Sequence, residues 1–302
     1  MVKTELSDKI KAVKKMQEFI ITNLDETITL SDLSRAAGYS KYYCVRIFKE
    51  LVGKTPFDFI RALRLTKAAQ ALQDSESTVL DCALDNGFES HDGFTRAFVR
   101  QFGITPQRYS REVPAVNWFL FHPIEDYYAL KEGVEIMANE KVSRTVTVSV
   151  VERPARKVIY LSYNANDYLA ACEEVGCEWE GFFNSIPEAF DNAAMGRLPE
   201  SLFPAGTSRN AFFVEVPMDY NKPIPDEYEI AEVPPCTYLY FNGMPYDNPG
   251  DFSIAIGIVN EAVESYPFER FGWRISNNVP YLSVISSDSI IGARAAIPVE
   301  KI

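Results

Sequence analysis

Residues 38–56 read GYSKYYCVRIFKELVGKTP, and residues 87–106 read GFESHDGFTRAFVRQFGITP. From the arginine to the proline the two stretches share one spacing at a period of 50 residues, and the second has one extra residue after its Gly-aromatic pair. Upstream, Asp32 and Asp81 precede the two glycines by the same distance. A repeat with glycine, arginine, phenylalanine and proline all in register predicts two copies of one structural unit.

Each copy has the pattern of a helix, a turn and a second helix. Thr29, with Asp32 three residues later, forms a capping-box pattern that begins the first helix. Gly38 is suited to the left-handed turn that ends it, and Ser40 is a favourable cap for the next helix. The helices expected over this half are 8–23, 30–37, 41–51, 56–72, 79–86 and 91–102.

These paired motifs resemble the DNA-binding domain of the AraC/XylS family of transcription regulators, and we assign that domain to residues 1–111. The resemblance implies an all-α domain with two helix-turn-helix units joined by a rigid helix. It implies that the second helix of each unit enters a major groove of double-stranded promoter DNA, with the two grooves about 34 Å apart. RNA polymerase is a further partner that the family implies.

Base contacts are expected from the first turns of the two second helices, at positions that face solvent. An arginine there can bind guanine bidentately, a valine or threonine methyl can contact a thymine methyl, and an aspartate can accept from cytosine. These positions are Lys41, Tyr42, Val45 and Arg46 in the first helix and His91, Asp92, Thr95 and Arg96 in the second. One turn further on, Lys49 and Arg100 are expected to contact phosphates.

The composition excludes several classes of protein. Of the 302 residues 47% are apolar, which excludes a disordered chain and suffices for two domains of ~150 residues. Five cysteines without Cys-x-x-Cys spacing and only two histidines argue against a disulfide framework, a zinc site or a Ser–His relay, so no cofactor or metal is expected. No apolar run approaches the ~20 residues that span a bilayer. The polar residues after Met1 carry no signal segment, which predicts a cytoplasmic protein without membrane contact.

Charge separates the chain into two parts. Residues 1–112 contain 17 Lys and Arg against 15 Asp and Glu, whereas residues 113–302 contain 13 against 27. Such asymmetry indicates parts with different partners. We expect a linker over 112–143, whose apolar run at 116–121 packs on a neighbouring domain, and a second domain over 144–302.

The second domain is expected to be α+β. Residues 145–150 alternate strictly between polar and apolar side chains, as a half-buried strand does. The strands expected are 145–150, 158–161, 211–216, 228–233, 237–242, 281–286 and 294–299, and the helical stretches are 167–184, 187–195 and 252–263. This order gives strand–helix–strand–strand twice, which predicts a duplicated βαββ unit.

Four motifs in that order resemble the GyrI-like effector-binding domain: ERPARKVIY at 152–160, FVEVP at 213–217, VPPCTYLYF at 233–241 and AIPV at 296–299. The resemblance implies a pseudo-twofold pair of units with a cleft between them that binds a small-molecule effector. The family often has a glutamate in its last unit where this chain has Ser283. Either Glu215 or Glu180 therefore supplies a negative charge, or the effector is not a cation.

Strand alternation places Glu215 on one face with Phe213, and Tyr238 with Tyr240 on one face of a later strand. If these faces are open, an acid among aromatic rings favours an aromatic cation as the effector. The residues expected to form this aromatic box are Glu215, Trp179, Tyr163, Tyr238, Tyr240, Trp273 and Tyr281, and Phe213 and Glu180 are further residues expected at the ligand site.

The favoured interpretation is a DNA-binding regulator that is not an enzyme. Two alternatives stay open for the second domain. Some GyrI-like domains resemble small-molecule hydrolases, with Glu180 and Glu215 as the acids here. The other alternative is a binding surface for another protein.

Overall fold

The computed structural model describes residues 2–73, 78–88, 90–132, 142–202, 210–247, 251–285 and 289–302. The chain divides into two compact units, Met1–Val134 and Glu135–Ile302. In the described residues the first unit is helical and the second is rich in strands. Part of the expected linker, residues 133–141, lies outside the described residues.

The helices of the first unit follow the repeat. They are α1 (Val2–Thr22), α2 (Leu30–Ala37), α3 (Lys41–Val52), α4 (Pro56–Gln73), α5 (Val79–Asp85), α6 (His91–Phe102), α7 (Pro106–Glu112) and α8 (Ile124–Glu132). Each predicted helix is present, and α7 is one that the repeat analysis did not anticipate.

Helix α4 is buried on more than one side because it serves two cores. Phe59 and Ile60, near its start, belong to a core with α1, α2 and α3. Ala68 and Leu72, near its end, belong to a second core with α5, α6 and α7. A helix with a single apolar stripe would fill only one such core. Helix α4 is therefore the connector that joins the two helix-turn-helix units.

The segment after α7 packs along both cores. Val116 and Trp118 contact the second core, and Phe119 contacts the first. The Phe119 amide also donates to the Thr66 hydroxyl at 2.8 Å. The apolar run at 116–121 thus packs on the helical unit, as its composition predicts.

A buried glutamine fixes the start of α8 against α1. Gln17 is only 2% exposed, and its side-chain amide donates to the His122 carbonyl and accepts from the Ile124 amide. An ion pair between Lys14 and Glu125 at 2.6 Å lies beside it. These contacts make α8 part of the first unit.

The second unit contains three α-helices and nine strands among the described residues. The strands are β1 (Val146–Arg153), β2 (Arg156–Tyr163), β3 (Ala194–Arg197), β4 (Asn210–Pro217), β5 (Glu229–Val233), β6 (Cys236–Gly243), β7 (Trp273–Ile275), β8 (Tyr281–Ile285) and β9 (Arg294–Lys301). The helices are α9 (Tyr168–Val175), α10 (Trp179–Asn184) and α11 (Phe252–Ser265).

The strands form one antiparallel sheet in the order β1-β6-β9-β8-β3-β4-β2-β5, with β7 paired to β9. The β3–β8 pair in its middle has a register shift next to Gly196. A Cβ at Gly196 would lie 1.9 Å from the Tyr281 carbonyl oxygen, so this close approach of two backbones requires glycine.

Two expectations for the second unit were wrong. The helical stretch at 167–184 is interrupted after α9 by Gly176, whose φ of 84° no α-helix accommodates. Residues 187–195 do not form a helix: residues 194–197 form β3, which pairs with β4 and β8. A short strand of four residues gives almost no alternation, so composition alone misread it.

Candidate functional site

The helices α3 and α6 are built alike from their caps inward. The Ser40 and Ser90 hydroxyls accept from the third amide of each helix, at Tyr43 and Gly93. Each helix ends at a glycine in the left-handed region. Over 41–50 and 91–100 the order of exposed, half-buried and buried positions is identical. The repeat in sequence is therefore a repeat in structure.

The inner faces of both helices anchor them to their cores. Cys44, Ile47 and Phe48 are fully buried in α3, as are Phe94 and Phe98 in α6. Burial of several such side chains, each contributing about 1.5–3 kcal/mol, fixes which face of each helix remains outside.

The outer faces carry most of the residues expected to contact DNA. The exposed ones are Lys41, Tyr42, Arg46 and Lys49 on α3 and His91, Asp92, Arg96 and Arg100 on α6. Val45 and Thr95 are half-buried, although the sequence suggested that they face solvent fully. The Thr95 hydroxyl is buried without a hydrogen-bond partner, so the hydroxyl oxygen is not part of the exposed surface of this residue.

The exposed side chains differ in how they are held. The Arg46 guanidinium carbon lies 4.9 Å from the centre of the Tyr43 ring, a cation–π arrangement that restricts the arginine. The equivalent of Tyr43 in α6 is Gly93, which offers no ring to Arg96. At the start of α6, His91 and Asp92 approach to 3.8 Å between Nδ1 and Oδ1.

An arginine on α4 links the two repeats, and sequence analysis did not single it out. Arg64 donates to the carbonyls of Leu24 and Glu26 at 2.9 and 2.5 Å. These two residues lie just before α2, the first helix of the first helix-turn-helix unit. Its guanidinium also lies next to Gly87, where a Cβ would be 2.7 Å from Nη1. Its position eight residues after Pro56 carried no motif that would have revealed this role.

The residues expected to form an aromatic box in the second unit come together only in part. Phe213, Tyr238 and Tyr240 share one core on one face of the sheet. Trp179 stacks on Phe212, the neighbour of Phe213 in β4, with ring centres 3.9 Å apart and an interplanar angle of 4°. Successive residues of a strand point to opposite faces, so Trp179 lies across the sheet from the tyrosines.

The remaining predicted side chains are also elsewhere. Trp273 and Tyr281 pack against the core that α11 forms with Leu239 and Phe241, again on the face opposite Tyr238. Glu180 is 8% exposed on α10. The apolar face does pack on the helices, but the tyrosine face is not open, because Tyr238 and Tyr240 are 0% and 4% exposed.

Glu215 has a cationic partner within the protein. Its Oε1 accepts from Arg156 Nη2 at 2.6 Å and lies 3.1 Å from the Tyr238 hydroxyl. Arg156 is fully buried and also donates to the Pro234 carbonyl. Burial lowers the pKa of Arg156, but the charge of Glu215 and its hydrogen bond raise it more, so the guanidinium stays charged. Burial raises the pKa of Tyr238, whose hydroxyl therefore stays neutral.

A second ion pair extends this arrangement. Arg294 binds Asp191 through both nitrogens of its guanidinium end, at 2.7 and 3.3 Å. Arg153 lies between the pairs, 3.8 Å from Asp191 and 3.9 Å from Glu215. Asp191 and Arg294 line a cavity of about 410 Å³, while Ser283 lines another of about 160 Å³.

Within the described ranges, no three His, Cys, Asp or Glu side chains are grouped as metal ligands would be. No described helix is long and apolar enough to cross a membrane.

Comparison with known proteins concerns the helical unit. A family profile described as "Helix-turn-helix domain" matches residues 33–112. The Escherichia coli transposon Tn10 TetD protein is 42% identical over 99 residues, which are 33% of this chain and 72% of TetD. The right origin-binding protein of Escherichia coli K12 is 38% identical over 104 residues, 34% of this chain and 36% of that relative.

Among solved structures, a probable AraC family transcriptional regulator from Rhodopseudomonas palustris is 29% identical, with a TM-score of 0.32. The match covers 33% of this chain and 95% of that one. The extent of TetD that is matched, together with the paired helix-turn-helix units, establishes that the chain belongs to the AraC family of DNA-binding transcriptional regulators.

Proposed function

We propose that this chain regulates transcription by reading double-stranded promoter DNA with α3 and α6 at once. The observation that carries the proposal is the identical order of buried and exposed positions in the two helices. Two equivalent helices on one chain are suited to successive major grooves about one helical turn apart.

Within this proposal the outward residues have two roles. Arg46 and Arg96 occupy the same position of the repeat and bind guanine bidentately, while their neighbours Lys41, Tyr42, Val45, His91, Asp92 and Thr95 select adjacent bases. Lys49 and Arg100, one turn further along, bind phosphates and fix the register. RNA polymerase is the protein partner of such a regulator.

We further propose that the second unit is a duplicated βαββ domain of GyrI-like type that binds a small-molecule effector. The sheet order supports a duplication. Outward from the central β3–β8 pair, one side gives β4, β2 and β5, and the other gives β9, β6 and β1. The helices occupy equivalent places in the two halves. In one half α9 and α10 follow β2 and precede β4, and in the other α11 follows β6 and precedes β9. A ligand then acts by binding one state of the protein better than another.

The DNA-reading part is tested with the full chain on a duplex selected from a random library. Arg96→Ala is expected to weaken binding to the selected duplex by about 1–3 kcal/mol and to relax preference at one base pair. Lys49→Ala is expected to weaken binding to selected and random duplexes alike and to lower the salt slope by about 1. Fluorescence anisotropy at several salt concentrations measures both.

Arg35→Ala is the matched control, since Arg35 is an exposed arginine on α2 rather than on α3 or α6. It should leave base preference unchanged. If Arg96→Ala bound the selected duplex normally while Lys49→Ala abolished sequence preference, the assignment of roles would be wrong.

A further inference from the structure

The second unit has more arginines than carboxylates in one region of low solvent exposure. The side chains of Arg153, Arg156 and Arg294 are 15%, 0% and 14% exposed. Among the described residues, the carboxylates within 4 Å of them are Glu215 and Asp191, which are 4% and 14% exposed. Three guanidinium groups against two carboxylates leave one half-buried positive charge without a carboxylate of its own, which is unfavourable where little water can solvate it.

The unbalanced group is Arg153. Arg156 and Arg294 each have a carboxylate oxygen at 2.6–2.7 Å, whereas Arg153 has none nearer than 3.8 Å. Its Nη2 donates to the Tyr240 hydroxyl at 2.8 Å, and its Nε is buried without an acceptor. The Nε of Arg294 is likewise buried without an acceptor.

The cavity beside this network has the volume of a small-molecule site. Its volume of about 410 Å³ lies within the range of ligand pockets. Its lining is mixed: apolar side chains such as Phe183, Ile186 and Phe190 alternate with Asn184 and Asn192. Asp191 and Arg294 supply the charged groups. The Phe190 ring also lies 5.2 Å from the Arg153 guanidinium carbon, so the cavity and the unbalanced arginine share a wall.

We propose that this cavity binds a molecule with a single carboxylate on an apolar body, and that Arg294 binds the carboxylate. The inference rests on the proposed effector role of the second unit and specifies its ligand. The incoming carboxylate replaces Asp191 at Arg294, and Asp191 turns to Arg153, 3.8 Å away. Each arginine then has its own carboxylate, and no buried charge is left unbalanced.

The same charges argue against the aromatic cation that the sequence suggested. Glu215 is occupied by Arg156, and both oxygens of Asp191 are occupied by Arg294. A cationic ligand would be a fourth positive charge against two carboxylates. Its desolvation would have no compensating partner.

The test uses the full chain and probes that differ only in charge: 4-phenylbutyrate and octanoate, their amides, and the corresponding amines. Isothermal titration calorimetry should show binding of the two carboxylates, with the amides weaker by about tenfold or more. The amines should not bind. A thermal shift of the strand-rich unit provides an independent readout.

Two variants separate the proposed roles. Arg294→Gln should weaken carboxylate binding by about tenfold or more, because it removes the charged donor. Asp191→Asn should strengthen carboxylate binding, because it frees Arg294 and removes a repelling charge. If the pair of Arg294 and Asp191 only stabilised the fold, both variants would weaken carboxylate binding. Arg270→Gln, at an exposed arginine of the same unit, should leave affinity unchanged.

Each remaining outcome overturns the inference in a recognisable way. Binding of amines in place of carboxylates would refute the ligand class and leave effector binding standing. Carboxylate binding that persists in Arg294→Gln would refute the site. If no probe of any charge bound wild-type protein, the carboxylate site would be refuted, and DNA affinity of the same sample would show separately whether the DNA-reading function holds.

Discussion

Compared position by position, α3 and α6 bury the same places of the repeat and differ in what they expose. Arg46 and Arg96 are equivalent, but Lys41 and Tyr42 in α3 correspond to His91 and Asp92 in α6. The interior is repeated because it must fit one kind of core, whereas the exterior is free to differ. Two copies of one scaffold can thus prefer two different base sequences.

The two helix-turn-helix units also differ in the turn before α3 and α6. Gly38 and Gly87 both have positive φ, but one more residue separates Gly87 from the serine cap of its helix. Glu89, in that longer turn, lies outside the described residues. The helices nevertheless begin at a serine cap and end at a glycine in both units.

The largest effect is expected from giving α6 the residues of α3 that are proposed to contact bases. The triple variant His91→Lys, Asp92→Tyr, Thr95→Val makes these positions identical in the two helices and changes no fully buried side chain. Binding to the wild-type site should weaken by about 1–3 kcal/mol for each base pair whose preference changes. Selection from a random library should then return two half-sites of one preference.

The reverse graft, Lys41→His, Tyr42→Asp, Val45→Thr, is the matched control and should change the other half-site. If either graft altered both half-sites or neither, the two helices would not read DNA independently. The identical burial order of α3 and α6 would then reflect how the two helices pack and not how they bind DNA.

The helical unit was predictable from sequence to within a few residues because its signals are local. Caps such as Thr29 and Ser40, and glycines such as Gly38, act on the helix next to them. The repeat then transferred each assignment to the second copy. What the sequence did not reveal was Arg64, whose acceptors lie 38 and 40 residues away.

The strand-rich unit was predictable in its longer strands but not in their pairing. Alternation located β4 and β6 and correctly sorted their apolar and tyrosine faces. It could not show that β2 lies beside β4, which brings Arg156 to Glu215 across 59 residues. A buried glutamate in isolation suggests a ligand, whereas the same glutamate with its arginine is a structural pair.

A smaller effect is expected where the two turns meet different surroundings. Gly38→Ala and Gly87→Ala both force alanine into the left-handed region, at a cost of about 1–2 kcal/mol. The Cβ at position 38 meets open space, whereas the one at position 87 displaces Arg64. Gly87→Ala should therefore lose about 1.5 kcal/mol more, the contribution of a hydrogen bond from a charged donor.

Urea unfolding of the full chain, followed by its helical circular dichroism, measures this difference. Arg64→Met supplies the cross-check. In that background the two alanine substitutions should become equally destabilising. Equal losses in the wild-type background would show that Arg64 moves aside without losing its bonds, and that the two turns are energetically alike.

The smallest effect is expected at the N-terminal caps of α2 and α5, where both copies of the repeat form the same hydrogen bond. The Thr29 and Thr78 hydroxyls accept from the amides of Asp32 and Asp81 at 3.3 and 3.1 Å. Thr29→Ala and Thr78→Ala should each lower the free energy of unfolding by about 1 kcal/mol, and by the same amount within a few tenths. Urea unfolding at pH 7 compares them, and a twofold difference would break the equivalence.

The response to acid distinguishes the first cap. The Thr29 hydroxyl, followed by its backbone amide, lowers the pKa of Asp32 below its usual range. A carboxylate whose pKa is depressed on folding stabilises the protein above its unfolded pKa, and this contribution is lost as the pH falls through the folded value. The deficit of Thr29→Ala should therefore be complete at pH 7 and shrink as the pH falls below about 4. A deficit that stayed constant down to that range would show that the hydroxyl acts on the helix amide alone and not through Asp32.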